Sequence, residues 1–575
     1  MAKYFSNAPS SVFGNPTYIH YIVEYNGDLT KEASNSTTDY ITIISDKYAI
    51  ISTPFRDPVK DRFTLEKSKF PSIVYVGKYY LYTLQSLSPI VAANINLVQV
   101  QPPFYLTGKG VLVGIIDTGI DYLNQEFIDN NRNSRIVNIW DQSITPKVED
   151  KDVPFGALYF QKDINNAIKA YNEGKNPYDV VPSKDLIGHG TAMAGIIGAK
   201  GINPEIKGAA PDCEFVVVKL IEAAASMKLF NPAMPIYDKA SIMIALSYLH
   251  EYALSVNRPM VIYLPLGTTF GNHKGSGSLE SFVNEISDYR GFAVVTGSGN
   301  EGDASGHASG KITTKGEYKD IALNISAGQK FLRLQIWVNK PNIMSLEIIS
   351  ASGESSGIIT ASLNHYKISS FIFEKTIISV RYSIPEELSG DELIDIEMFY
   401  LTPGTWKLRL HADSVLDGSF NVWMLQKGLA LDDTKFTYSD PYGTFTGPGS
   451  AEYIITTANY NQNNFNIVNS SGMSFLNFKS NGIDIAAGGI NVKTTAPNNS
   501  TTIVNGTSAS CAVTAGACAL LLQWGIIDGK DPFMYSQKIK TYLTRGTEKR
   551  VTDSYPNAEW GYGVLNLYDV FKYLQ

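Results

Sequence analysis

Three short stretches carry residue types that could act together as nucleophile, base and orienter. Ile115-Ile116-Asp117-Thr118-Gly119 sets an acid at the end of an apolar run. Gly188-His189-Gly190-Thr191 sets an imidazole ahead of AMAGIIGA, and Asn505-Gly506-Thr507-Ser508-Ala509 sets a hydroxyl ahead of a long Ala-rich stretch. A serine hydroxyl attacks a carbonyl only when a base takes its proton, and an imidazole serves best when an acid fixes its tautomer and stabilises imidazolium. Asp117, His189 and Ser508 supply those roles. Taken singly, Asp117 reads as a cap or turn residue and Ser508 as a helix cap. Together, and at the ends of elements, they point to acyl transfer. No His-Glu-x-x-His or paired-cysteine signature offers a competing metal site.

These residues need a frame. VLVGIID from Val111, FVVVKLI at 215–221, MVIYLPLG at 260–267 and FAVVTGSG at 292–299 are continuous apolar runs of the kind buried on both faces of a parallel sheet. Helical patterns lie between them, as in Ala240 to Leu254, with Ile242, Ala245, Leu246 and Leu249 on one side. Strand, helix and strand in repetition predict an α/β domain. Between about 310 and 439 the period changes to two: Leu332, Leu334, Ile336 and Val338 alternate with polar neighbours, as do Trp406, Leu408 and Leu410. That predicts an inserted antiparallel β-sandwich. Ahead of the α/β pattern, YIHYIVEY, YITIIS, YAIIST and SIVYVGKYYLYTL read as strands of a small α+β unit.

Composition narrows the functional classes. The 575 residues, 44% hydrophobic and 18% charged, suit several folded domains and exclude a disordered or fibrous chain. A net charge of −7 without a basic stripe argues against nucleic acid as a partner. Cys213, Cys511 and Cys518 cannot form a disulfide framework and read as small buried hydrophobes. The first 25 residues hold no continuous apolar core, so no Sec signal is expected. Ala509 to Ile527 is the nearest approach to a membrane span, but its Ser, Thr and Gln suit a buried core helix better. A soluble protein is expected.

The three motifs resemble the catalytic blocks of the subtilase family of serine peptidases. VIYLPLG resembles the family's substrate-binding strand, TGSGNEG the block carrying its oxyanion asparagine, and EWGYGVLNL at 559–567 its C-terminal segment. The resemblance implies a subtilisin-like parallel sheet with helices on both faces. It also implies Asn300 as oxyanion donor and Leu264, Pro265, Leu266 and Gly267 as the substrate-binding strand. The architecture further resembles the clostridial germination-specific subtilases. That implies a folding-assisting prodomain at 1–99, subtilase domain parts at 100–310 and 439–575, and a jelly-roll-like insert at 311–438. Implied too are autoprocessing, a spore location, a cortex-lytic pro-enzyme as protein substrate, and a cleaved prodomain that stays bound. The same relatives include silent pseudoproteases, which typically lack a triad residue. This chain keeps all three.

Asn94 to Gln101 has extended character before Pro102-Pro103, so the Gln99-Val100 bond is expected to be the processing site. Three departures touch loops only. Pro265 stands where the family commonly has Ser, Asp121 to Glu126 lacks a frequent His-Pro pair, and Gly488 replaces a usual Pro. No cofactor is called for. Structural calcium stays open, although the pairs Glu149-Asp150 and Asp432-Asp433 lack EF-hand-like spacing and read as solvated loops. The insert's Trp337, Trp406 and Trp423 could form a recognition face, but alternate strand positions favour core.

Overall fold

The computed structural model describes the chain except residues 1–4, 13, 14, 16, 35, 55–64, 66, 77–87, 146–151, 231, 364, 477–481 and 575. Two compact units divide it, Met1–Gln85 and Ser86–Gln575. The first holds an antiparallel sheet in the order Phe5–Ser6, Tyr40–Ile43, Tyr48–Pro54, Tyr18–Tyr25 and Ile73–Val76. Alternation along Tyr18–Tyr25 buries Ile19, Tyr21 and Val23, and Val23 joins a core with Ile41, Ile51 and Phe70. The short helix Leu29–Ala33 adds Leu29 to it, with Asp28 capping by accepting from Lys31 N at 3.1 Å.

In the second unit the central sheet runs Ile455–Asn461, Phe292–Gly297, Met260–Tyr263, Leu112–Asp117, Glu214–Lys219 and Ile136–Asp141, all parallel. Ile485–Gly488 pairs parallel with the first of these, and Asn466–Ile467 and Ala157–Phe160 add antiparallel edges. Leu112–Asp117 is buried at every residue. Period-two geometry sends Val113 and Ile115 to one face, and Leu112 and Ile116 to the other, into two separate cores. The first core receives the helices His189–Gly198 and Thr507–Leu522, and the second Lys239–Ser255 and Ser278–Ser287. The apolar runs thus form the mostly parallel α/β sheet expected of them, with helices on both faces as the resemblance implied.

The Ala-rich helix lies inside the first core. Among the described residues, 507–527 is one helix long and apolar enough to cross a membrane, and 83% of it is buried within the fold. Its small side chains let it approach its neighbours closely: a Cβ at Gly516 would come 2.3 Å from that of Ala209. Cys213, Cys511 and Cys518 are buried and free, and burial pushes the Cys213 thiol up to about 12.

The insert is two antiparallel sheets, of six strands from His307–Lys311 to Tyr366–Ser370 in spatial order, and of four. Strict alternation along Glu392–Phe399 buries Ile394, Ile396 and Met398 against Leu334, Trp406 and Leu408. Trp337, Trp406 and Trp423 are 7%, 0% and 1% exposed, so they build core and not a recognition face.

The segment expected to be extended is helical. Pro89–Ala92 and Ile95–Val100 are short helices of the second unit. Ile95 and Val98, three apart, share a core with Leu567, Val570 and Phe571. Gln99 is buried, and its carboxamide donates to Gly208 O at 3.0 Å and Ala209 O at 2.8 Å. Side-chain burial at that spacing holds the segment helical despite its extended composition. The Gly488 departure has a matching cause: a Cβ there would sit 3.0 Å from Pro89 Cβ and Gln462 Cβ.

Candidate active site

Parallel strands buried on both faces can show polar groups only at their ends. Asp117 is the last residue of Leu112–Asp117, and His189 opens the helix His189–Gly198. Gly190 draws them together, because a Cβ there would lie 2.1 Å from Gly119 O and 3.2 Å from Asp117 Cβ. The Asp117 carboxylate accepts from His189 Nδ1 at 2.9 Å (Oδ1) and 2.8 Å (Oδ2). Oδ1 also accepts from Thr118 N at 2.7 Å. That fixes the neutral tautomer with its proton on Nδ1, leaving Nε2 as the basic nitrogen. Asp117 is 2% exposed and His189 33%. Burial alone would lower the imidazole. The Asp117 charge and hydrogen bond, with Asp185 adding, outweigh it and hold His189 above its ordinary value.

Ser508 is the second residue of Thr507–Leu522. The chain reaches it through Gly506 at φ 129°, a backbone that side chains resist. The first amides of a helix lack partners within it. Here Thr507 N donates to Asn300 Oδ1 at 3.2 Å, while Ala509 N and Ser510 N donate to Gly506 O at 3.1 and 3.4 Å. The Ser508 amide is left without an acceptor among the described residues. Because the Asn300 oxygen accepts from Thr507 N and, at 3.3 Å, Thr507 Oγ1, its carboxamide orientation is set and its NH2 remains to donate. Two unspent donors at a helix N-terminus favour a developing oxyanion.

Tyr263 ties Ser508 to the sheet by donating from its hydroxyl to Ser508 O at 3.0 Å. Burial pushes that phenol well upward, keeping it a neutral donor. His189 and the Ser508 hydroxyl share no hydrogen bond in this structure. Such contacts commonly tighten only when substrate arrives.

The proposed substrate strand divides in two. Leu264 is spent internally, with its N–H donating to Val295 O at 3.0 Å and its carbonyl accepting from Thr296 Oγ1 at 2.8 Å. Pro265 and Leu266 are half-buried and Gly267 is exposed, beyond the end of Met260–Tyr263. Pro265 has no N–H to offer but keeps its carbonyl.

Two features carry no mark in the motifs. A hairpin, Val492–Ala496 and Ser500–Val504, runs into the Ser508 loop. It holds the His189 helix through Thr494 Oγ1 to Ala192 O and Thr495 Oγ1 to Thr191 O, both 2.7 Å. It also meets the Asp117 side, where Asn124 Nδ2 donates to Ala496 O at 3.2 Å. The second is Asp185, buried and bonded to Thr118 beside Asp117 and to Gly188 and Thr191 around His189. No cluster of metal-ligating side chains is present among the described residues. Asp432 and Asp433 are exposed, and Glu149-Asp150 lie outside the described residues.

A model of the subtilase family, Peptidase S8, matches residues 108–563. The chain is a subtilase. Among solved structures, this subtilase is similar to the CspB protease of Clostridium perfringens, with 30% identity, 84% of this chain and 97% of that chain covered, and a TM-score of 0.76. Sphericase also matches, at 14% identity over 82% of this chain and 96% of its own, with a TM-score of 0.42. No curated protein sequence matches.

Proposed function

We propose that this subtilase is a serine endopeptidase in which Ser508 is the nucleophile, His189 the general base and then acid, and Asp117 its orienter. The observations that support the reading are the Asp117–His189 pair at 2.8 Å and the two unspent donors at the N-terminus of the helix that carries Ser508. Ser508 Oγ attacks the substrate carbonyl carbon as its proton passes to His189 Nε2. The tetrahedral oxyanion accepts from Ser508 N–H and Asn300 Nδ2. His189 returns the proton to the leaving amine, and water then releases the acyl group by the same route. Pro265 to Gly267 offer backbone edges to an extended substrate.

The likeness to the CspB protease supports a finer proposal: autoprocessing that frees an N-terminal unit, spore residence, and activation of a cortex-lytic pro-enzyme during germination. The helical, partly buried setting of residues 89–100 in the second unit favours a processing junction upstream of Pro89 over the Gln99-Val100 bond. The freed unit is expected to co-purify.

Ser508→Ala tests the reading. The variant should lose peptide hydrolysis by about 10⁴-fold or more. It should also run as one chain where the wild type gives two fragments. Equal turnover by both would sink the nucleophile assignment, and two inert single chains would favour a silent scaffold.

A further inference from the structure

Asp185 is 5% exposed and makes no ion pair with Lys or Arg among the described residues. Its two oxygens accept four hydrogen bonds instead. Oδ1 takes Thr118 Oγ1 at 2.8 Å and Gly188 N at 2.7 Å, and Oδ2 takes Thr191 N at 2.9 Å and Thr191 Oγ1 at 2.7 Å. Those donors flank the catalytic pair in sequence: Thr118 follows Asp117, while Gly188 and Thr191 bracket His189. The hydroxyls extend the cage, since Thr118 Oγ1 accepts from Gly190 N at 3.0 Å and Thr191 Oγ1 from Asp121 N at 2.9 Å.

We propose that Asp185 is a positioning residue of the acyl-transfer site, locking the Asp117 loop to the His189 helix and setting a second negative charge behind the imidazolium that forms during the reaction. This rests on the serine-peptidase reading. The titratable groups around His189 are Asp117 in contact and Asp185 behind it, with Asp121 close to Asp185 and the Tyr237 and Tyr263 phenols beyond Asp117. The Lys219 ammonium is turned to Asp141 at 3.3 Å. Among the described residues no Lys or Arg forms an ion pair with Asp185, and protonated His189 is placed to balance its charge. A carboxylate suits the position because only an acceptor on both oxygens can satisfy four donors.

Two substitutions separate charge from geometry. Asp185→Asn keeps the shape, removes the charge and turns an NH2 toward groups that donate. Thr118→Val removes one strut and keeps the charge. With a chromogenic peptide between about pH 5 and pH 9, each should lower kcat about tenfold with KM nearly unchanged. Only Asp185→Asn should move the acid limb, by about half a unit to lower pH.

Carbon-13 histidine titration of His189 in the Ser508→Ala background reads the same shift without turnover. If the wild type hydrolyses nothing, the peptidase reading fails and this titration alone judges Asp185. An unmoved His189 titration in Asp185→Asn, or wild-type kcat in both variants, overturns the proposal. Should Asp185→Asn fail to fold, a lowered kcat in Thr118→Val supports the proposal and an unchanged kcat overturns it.

Discussion

The carboxyl edge of the parallel sheet and the inserted sandwich spend their hydrogen-bonding capacity in opposite ways. In the sandwich, strands such as Phe331–Val338 and Glu392–Phe399 pair along their whole length, and exposed faces carry pairs such as Arg409 with Asp320 at 2.6 Å. At the sheet edge, the Ser508 amide, the Asn300 NH2 and His189 Nε2 are left over among the described residues. Parallel strands buried on both faces have nowhere else to display polar groups, so chemistry collects at their ends. An antiparallel sandwich buries one face per sheet and can be saturated. Unspent donors held by a rigid scaffold mark the working region, and full-length backbone pairing marks the supporting one.

Trp406→Ala probes the supporting side and should have the largest effect on folding. It removes a fully buried ring from the sandwich core and should cost about 3–5 kcal/mol of stability. Denaturant melts should show the loss, while kcat of the folded protein stays near wild type. A kcat that falls with stability would dissolve the contrast.

Asn300→Ala probes the unspent side. Losing one oxyanion donor should cost about 2.7–4 kcal/mol of transition-state stabilisation, read as a drop in kcat with KM little changed. A rise in KM alone would assign Asn300 to ground-state binding.

The seam between the regions should respond to acid. Trp423 of the insert is stacked between His273, at 4.2 Å and 12°, and His307, at 4.7 Å and 18°. Burial drops His273 to about 4 and also lowers His307. The unfolded chain binds protons near 6.5 that the folded state refuses, so stability is full above that pH. About 1–3 kcal/mol should be lost as pH falls from 6.5 toward 4. Unfolding melts across that window should show the loss, and His273→Gln should flatten it. A flat profile in the wild type would mean the stack tolerates charge.

Much of this contrast was legible in the sequence, because period and punctuation follow directly from burial. Short, β-branched runs such as VLVGIID between glycines suit strands covered on both faces, and the alternation of Trp406, Leu408 and Leu410 suits one face of a strand. The reason for Gly190 shows only in the structure, where a Cβ would meet Gly119 O at 2.1 Å. Two features were not legible. Residues 95–100 span under two helical turns, too few for periodicity to outweigh an extended-looking composition. Asp185 sits in a loop where an acid ordinarily means solvent, and only its four donors, brought from the Asp117 loop and the start of the His189 helix, reveal otherwise.

The central claim is that Ser508 is a nucleophile activated by His189. A fluorophosphonate probe tests it most directly, because it marks a serine only where a base and an oxyanion site act together. Peptide mass mapping should find one adduct, on Ser508, in the wild type and essentially none in His189→Ala. An adduct on another residue, or equal labelling of Ser508 in both proteins, would contradict the account.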